Sequence, residues 1–245
     1  MLAGQAALIT GASRRIGAQI ARCLHDAGMN ICLHYHTSEK QALELACELE
    51  KQRPDSVQPV AADLLDTARL DDIIKTVTER WGRLDLLVNN ASAFYPTPVG
   101  KITTADWDQL MGSNLRAPLF LSQAAAPALK ETQGSIINMI DIHAERPMRA
   151  HVVYSIAKSG LLAMTKSLAR ELGPEIRVNG VAPGAILWPE NETSESAQQE
   201  ILDRTALKRV GSPADIAAAV LFLTRDAPYI TGHMLPVDGG RLLNI

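Results

Sequence analysis

The sequence has few cysteines and few aromatic residues, and neither positive nor negative charge is in large excess. Its three cysteines have neither an even count nor the spacing of metal ligands, which is typical of reduced thiols in a cytoplasmic protein. Lys and Arg number 24 against 27 Asp and Glu, so no basic excess indicates a nucleic-acid partner. No run approaches the roughly 18 apolar residues of a membrane span, and the first residues lack the basic region of a secretion signal.

What the sequence has in quantity is a regular alternation of apolar strands and amphipathic helices. Strands are predicted at 6–10, 30–35, 57–61, 84–88, 135–140, 177–181 and 234–237. Helices are predicted at 15–27, 38–51, 67–81, 104–129, 154–172 and 213–224, with a short one within 187–205. Such alternation indicates an α/β fold, a doubly wound parallel sheet with helices on both faces. We expect one domain over 1–245, since no repeat or linker divides it.

A turn with two glycines lies between the first predicted strand and the first helix. Gly11 and Gly17 allow a tight turn and a close approach of the backbone to a phosphate at the helix start. Arg14 and Arg15 suit an anion, although Arg15 stands where the usual fingerprint has its central glycine. We expect cofactor contacts from Gly11, Arg14, Arg15 and Ile16; a purely structural turn is the alternative.

The second strand ends in a stretch without a carboxylate. An NAD-selective site tends to place Asp or Glu there for the ribose 2′-hydroxyl, and no acid precedes Glu39. This absence favours the 2′-phosphate of NADPH, with contacts expected from His34, Tyr35, His36, Thr37 and Ser38. His34 and His36 lack a third ligand nearby, so no metal site is predicted.

Polar residues also follow the third and fourth strands. Asp63 and Leu64 are expected at the adenine. Asn89, Asn90 and Ala91 stand where side chains line the ligand crevice of such sheets, although turn residues are an equal alternative. The expected cofactor contacts here are Asn90, Ala91 and, by the resemblance described below, Ser92.

The stretch 141–158 carries the candidate chemistry. Tyr154 and Lys158 are spaced i, i+4 and share one helix face. A lysine ammonium there is expected to lower the tyrosine pKa from its usual value of roughly 10, which gives a proton device. Asp141 precedes them, and Asn114 interrupts an apolar helix. A turn or cap role for Asp141, and a backbone-satisfied role for Asn114, are the structural alternatives.

These residues, taken in order, resemble the short-chain dehydrogenase/reductase family along nearly the full chain. The resemblance rests on the glycine turn, Tyr154 with Lys158, and further residues at Asp63, Asn89-Asn90-Ala91, Asn114, Pro183-Gly184 and Asp238-Gly239-Gly240. Within the family, the chain is most similar to the pteridine reductases, including bacterial dihydromonapterin and dihydrofolate reductases. That similarity is carried by Arg15, by His34-Tyr35-His36, by residues 90–98 and by Asp141.

The resemblance implies a Rossmann-like fold with a cofactor half at about 1–130 and a catalytic half with a substrate lid at about 131–245. Pro183 and Gly184 would contact the cofactor, and a lid would form near 187–205. Thr37 departs from the arginine that many pteridine reductases carry there. A homotetramer is implied, with the apolar helices 104–129 and 153–172 paired between subunits.

The resemblance also implies roles in the reaction. Asp141 stands where carbonyl reductases of the family have a serine, and an Asp–Tyr pair could relay a proton to a ring nitrogen. Phe94 would stack on the pterin, while Ser92 and Arg15 would touch it. Lys158 would also hold the nicotinamide ribose. Asn114 would orient water and the lysine through its backbone.

The expected activity is therefore the NADPH-dependent reduction of a dihydropterin or dihydrofolate. A 3-oxoacyl-thioester reductase of the same family is the enzyme alternative, against which Asp141 and Phe94 argue. A non-catalytic NADP(H)-sensing protein is a more distant alternative, because such a protein should have lost Tyr154 or Lys158 and both are present.

Overall fold

A computed structural model describes residues 2–187 and 195–244, and its centre is a seven-stranded parallel sheet. The strand order is β3-β2-β1-β4-β5-β6-β7. The strands are β1 Ala6–Ile9, β2 Asn30–Tyr35, β3 Val57–Ala61, β4 Leu86–Asn89, β5 Ser135–Met139, β6 Arg177–Pro183 and β7 Met234–Val237. The order reverses between β1 and β4, so the ligand crevice is expected outside the carboxyl ends of these two strands. The predicted Rossmann-like α/β fold is confirmed.

Eight α-helices among the described residues surround the sheet. They are α1 Arg15–Asp26, α2 Glu39–Gln52, α3 Leu70–Trp81, α4 Thr104–Met111, α5 Ala117–Thr132, α6 Val152–Leu172, α7 Glu195–Asp203 and α8 Pro213–Arg225. One face is covered by α1, α2 and α8, and the other by α3, α5 and α6. Within the described ranges, no helix is long and apolar enough to cross a membrane.

The central strands are apolar because both of their faces are covered. Along β1, Ala7 and Ile9 pack into the core under α1, α2 and α8. Ala6 and Leu8 pack into the core on the opposite face. All four are fully buried, as alternation of side chains across a doubly covered sheet requires. Short continuous apolar runs are therefore the sequence signal of this sheet.

Two predicted helices differ in detail from the structure. The helix expected over 104–129 is broken into α4 and α5 by a π-helical turn at Gly112–Arg116, which contains Asn114. The helix expected from 67 starts with a 3-10 turn at Thr67–Arg69 before α3. Ser38 stands at the N-cap of α2, but its side chain makes no capping bond. Residues 188–194 of the expected lid lie outside the described residues, and the short helix predicted within 187–205 is present as α7.

Candidate active site

The glycine turn after β1 is held tightly against the end of β4. Gly11 has a φ of 61°, and a Cβ at this position would approach the Cα of Ala91 to 3.0 Å. The Asn90 amide donates to the carbonyls of Thr10 at 2.8 Å and Gly11 at 3.0 Å. The backbone N–H groups of Asn90 and Ala91 both donate to Thr10 Oγ1. Glycine is therefore required at position 11 both by conformation and by space.

The expected direct role of His34 is corrected by its position beneath this turn. The ring is 1% exposed. Its Nδ1 accepts a hydrogen bond from Gly11 N at 3.2 Å, and its Nε2 donates to the Ala62 carbonyl at 3.1 Å. Burial lowers the pKa of His34 to about 4, so the ring is neutral at pH 7. His34 therefore positions the turn from below, and its side chain does not face the cleft.

A cavity of about 380 Å³ lies above the turn and brings most of the predicted cofactor residues together. It is lined by Gly11, Ser13, Arg14, Arg15, Ile16, Gly17, Tyr35, His36, Thr37, Ser38, Asn90, Ala91 and Ser92. Among the described residues that line it, none is acidic. Helix α1 begins here with no side-chain cap and no acid in its first turn. The donor set and the glycine turn therefore fit the phosphates of a dinucleotide.

Asp63 and Leu64 do not line this cavity. Asp63 is exposed, and its Oδ1 accepts a hydrogen bond from Leu65 N at 2.9 Å, as in a local turn. Leu64 is largely buried in the core under α3 and α5. The predicted adenine contact of these two residues stays a prediction.

The carboxyl end of β5 and the start of α6 bring Asp141, Tyr154 and Lys158 together. Tyr154 Oη donates a hydrogen bond to Asp141 Oδ2 at 2.8 Å. Asp141 Oδ1 accepts from His143 N, so the same carboxylate also caps the 3-10 turn Ile142–Ala144. Capping and contact with Tyr154 are thus simultaneous rather than alternative roles. The three side chains line a cleft of about 210 Å³ with Arg15, Ser92, Pro183 and Gly184.

The ionisation of the pair Tyr154 and Lys158 differs from the sequence-based expectation. Burial, followed by the charge of Asp141 and its hydrogen bond, raises the pKa of Tyr154 well above its usual value. Burial also lowers the pKa of Lys158 to about 8, with Asp141 acting in the opposite direction. Lys158 Nζ lies 5.6 Å from the Tyr154 ring centre and donates to the Met139 carbonyl at 2.8 Å. The expected lowering of the Tyr154 pKa is wrong for this structure, and Tyr154 is a protonated donor.

Asn114 connects the π-helical turn to the loop after β4. Its amide nitrogen donates to the carbonyls of Leu110 and Ala93, and its Oδ1 accepts from Ser92 Oγ at 2.8 Å. The side chain is completely buried. Asn114 therefore holds the Ser92–Ala93 segment at the cleft, and its predicted backbone role toward water stays a prediction. π-helical turns are frequent at functional sites.

Phe94 lies next to Tyr154 of the cleft, and His151 packs against it. The two rings stack at 4.7 Å with an interplanar angle of 11°, while Phe94 meets Tyr154 edge-on at 4.9 Å. Phe94 is 52% exposed, so part of its surface is open to a ligand. His151 was missed by the sequence analysis. Its position three residues before Tyr154, one helical turn away, could have pointed to it.

Comparison with known proteins gives matches over most of the chain. Residues 11–241 match a family profile described as enoyl-(acyl carrier protein) reductase. The chain is 36% identical to pteridine reductase 1 of Leishmania tarentolae over an alignment of 275 residues, which covers 96% of this chain and 95% of that protein. It is 35% identical to 3-oxoacyl-(acyl-carrier-protein) reductase FabG of Staphylococcus aureus over 240 residues, covering 96% and 97%. The FabG of Thermotoga maritima is 31% identical over 246 residues, covering 99% of each.

The matches agree with the fold. Relatives named for two different substrates lie at nearly equal identity, so overall similarity supports the reaction class rather than the substrate. The chain belongs to the short-chain dehydrogenase/reductase family, a family of oxidoreductases that use nicotinamide cofactors.

Proposed function

We propose that this enzyme reduces a C=N bond in the ring of a dihydropterin or dihydrofolate, with NADPH as the reductant. The observation that carries the proposal is the 2.8 Å hydrogen bond from Tyr154 to Asp141, beside an exposed aromatic ring, Phe94, that meets Tyr154 edge-on. Reduction of a ring C=N needs a hydride at carbon and a proton at nitrogen. A carboxylate next to a tyrosine serves the proton half of that reaction.

The proton path follows from the burial of the two groups. Tyr154 is 5% exposed and is protonated at neutral pH because burial raises its pKa. It therefore has a proton to donate to the ring nitrogen. Asp141 is more exposed than Tyr154, so it can take up a proton at the surface and return it to the tyrosine. The nicotinamide cofactor, when bound, supplies the hydride.

The remaining predicted residues serve to position the reactants. Lys158 would hold the nicotinamide ribose, and Asn114 keeps Ser92 at the cleft through a 2.8 Å hydrogen bond. His151 stacks against Phe94 and fixes its ring, of which 52% remains exposed. The pterin ring would stack on that exposed surface. Arg15 lies at both the phosphate cavity and the catalytic cleft, so it could contact cofactor and substrate.

A 3-oxoacyl-thioester reductase is the second candidate, because relatives with that name are 35% identical to this chain. The developing charge argues against it. An ionised Asp141 would face the oxyanion that forms during carbonyl reduction, and two negative charges in a closed site repel each other. A ring C=N nitrogen is basic enough to be protonated before the hydride arrives, so no full negative charge need form beside Asp141, whereas a carbonyl oxygen is too weakly basic for this.

The test of substrate class is NADPH oxidation with dihydrobiopterin, dihydromonapterin, dihydrofolate and an acetoacetyl thioester. We expect turnover of at least one pterin or folate and little turnover of the thioester. The Tyr154→Phe variant is the control for turnover at this site. Efficient turnover of the thioester with none of the pterins would overturn the proposal.

NADPH is proposed over NADH because Arg14, Arg15 and His36 line a cavity without an acidic residue among those described. An arginine beside a 2′-phosphate forms a charge-assisted pair that NADH lacks. We expect kcat/KM to be at least about tenfold higher with NADPH, the scale of one such contact. Equal or better kcat/KM with NADH would remove this claim.

A homotetramer is proposed from the outer faces of the helices α4, α5 and α6. These helices carry large apolar side chains that are 39–45% exposed, namely Trp107, Leu119, Phe120 and Ile156. Large exposed apolar side chains on several helices are typical of a subunit interface. Light scattering at micromolar concentration should give the mass of four chains, and a monomer mass would refute the proposal.

A further inference from the structure

A second cavity, of about 680 Å³, lies next to the catalytic cleft. Its walls come from the segment after Asp141, from α7 and from the C-terminal turn. We call it the arginine cavity, because four of its lining residues are Arg146, Arg149, Arg204 and Arg241, accompanied by His143 and Glu200. No role in hydride or proton transfer requires so many guanidinium groups at this place.

The lining of the arginine cavity has an excess of positive charge. Among its described lining residues, Glu200 is the one acid, and it pairs with Arg204 at 2.7 Å. No carboxylate of the described residues lies within ion-pair distance of Arg146, Arg149 or Arg241. Asp141, Asp238 and Glu200 lie near enough to Arg241 to raise its pKa, but none of them forms an ion pair with it. Three guanidinium groups therefore line one space without a carboxylate in ion-pair contact among the described residues. Positive charges held close together repel each other, and an anion bound between them relieves this repulsion. The arrangement therefore attracts an anion.

Arg241 is the member of the group that burial constrains most. Its Nε atom is buried and has no hydrogen-bond partner among the described residues. Burial also lowers its pKa, which reflects the cost of holding the charge away from water. A buried Nε–H group without an acceptor is costly, and a ligand in the cavity could supply that acceptor. A carboxylate suits the planar donor geometry of arginine.

Two hydrogen bonds link residues of the arginine cavity to the place beside Phe94 that we propose for the pterin ring. Asp141 faces the catalytic cleft, and His143, whose N–H donates to Asp141, lines the arginine cavity. On the other side, the Arg149 carbonyl lies 2.9 Å from Nδ1 of His151, the ring that supports Phe94. A molecule with its ring against Phe94 could therefore place an attached chain among the arginines.

We propose that the arginine cavity binds the negatively charged tail of the substrate, and that the physiological substrate class is a pterin with a carboxylated, folate-type tail rather than a neutral side chain. This inference rests on the proposed pterin reduction for the ring, but not for the tail site. Phosphates of an acyl-thioester carrier share the negative charge, so the experiment compares both kinds of anion.

The experiment uses the full-length enzyme and a double variant, Arg146→Gln with Arg149→Gln, since both side chains are exposed and neither contacts the proposed reacting groups. We expect kcat/KM for dihydrofolate to fall at least about tenfold through a higher KM, because charge-assisted contacts to the tail are lost. For dihydrobiopterin, whose side chain is neutral, the change should stay below about twofold. Arg241→Gln, as a separate variant, should give the same selective loss.

The matched control is Arg80→Gln. This arginine is also exposed and pairs with Asp55 at 2.9 Å, away from both cavities. This variant should leave kcat/KM unchanged for both dihydrofolate and dihydrobiopterin. Equal losses with both pterins in the double variant, or an unchanged kcat/KM for dihydrofolate, would overturn the tail site.

A binding measurement separates this inference from the proposed activity. Calorimetry with p-aminobenzoylglutamate, which has the tail without the pterin ring, should detect binding that weakens in the double variant and survives in Arg80→Gln. If the wild type reduces no pterin but this binding persists, the proposed activity fails and an anion site remains. If acetoacetyl-coenzyme A is the better substrate and its KM alone responds to the double variant, the carboxylate assignment is wrong.

Discussion

Replacement of Asp141 by serine separates the proposed chemistry from the architecture of the site. The serine hydroxyl can still accept a hydrogen bond from His143 N, so the turn Ile142–Ala144 should persist. What the variant loses is the carboxylate 2.8 Å from Tyr154 Oη. Positioned acid–base groups contribute about 10²–10⁴-fold, so kcat for a dihydropterin should fall by about 10²-fold, or about 2.7 kcal/mol of barrier.

The same variant should shift the pH profile in a defined direction. Burial is the first cause of the raised pKa of Tyr154, and the charge and hydrogen bond of Asp141 are the second and third. Serine removes the latter two, so the pKa of Tyr154 should fall while burial still holds it above its usual value. If Tyr154 acts as the acid, kcat declines as pH rises through this pKa. That decline should therefore begin at a lower pH in the variant.

The assay is steady-state kcat for a dihydropterin from neutral to alkaline pH, with the dissociation constant of NADPH from fluorescence titration. Cofactor affinity should change by less than about twofold, since Asp141 does not line the phosphate cavity. Asp141→Asn is the matched control for size, because it keeps a capping oxygen and loses the acid. If Asp141→Ser keeps the wild-type pterin turnover, Asp141 has only a capping role. The pterin assignment would then rest on Phe94 and Arg15 alone.

Other predictions concern single buried groups. Tyr154→Phe should lower kcat at least about 10²-fold with little change in NADPH affinity, and a variant with most of its turnover would exclude Tyr154 as the donor. The pKa of Lys158 is depressed to about 8, so its contribution to stability is complete above its unfolded pKa of 10.5 and is lost as pH falls through 8. The unfolding free energy of the wild type relative to Lys158→Met should thus rise by about 3 kcal/mol over that window, measured by urea titration. For His34, depressed from 6.5 to about 4, the wild type should lose about 3 kcal/mol as pH falls through this range, whereas His34→Gln should not. Parallel pH curves for wild type and variant would contradict either assignment.

The strand positions could be predicted closely because each strand is marked by a short local pattern of apolar residues between turn residues. The predicted ranges 30–35, 57–61 and 234–237 coincide with β2, β3 and β7. β2 is a buried apolar run, whereas β3 and β7 are partly buried edge strands that flanking turn residues delimit. The π-helical turn at Gly112–Arg116 was not predicted, since the spacing of apolar residues over five positions does not distinguish a single π-turn from the α-helix around it. What identifies it is the tertiary contact of Asn114 with Ser92 and Ala93.

In the candidate site, residue spacing predicted which side chains share a helix face, but it did not predict their pKa shifts correctly. The i, i+4 spacing placed Tyr154 and Lys158 on one helix face, and the structure adds Asp141 at 2.8 Å. The direction of the Tyr154 pKa was wrong because it depends on burial and on the position of Asp141. Neither is readable from residue spacing, since desolvation is a property of the folded surroundings.

The sequence by itself determined the α/β class, the family and the residue types that line the cleft, because these follow from local periodicity and from motifs of fixed spacing. Only the tertiary structure decided that His34 lies beneath the glycine turn, that His151 supports Phe94 and that four arginines meet in one cavity. Arg146 and Arg241 are far apart along the chain, and folding brings them to the same space. Their proximity is a long-range property of the packed sheet, which no short stretch of sequence contains.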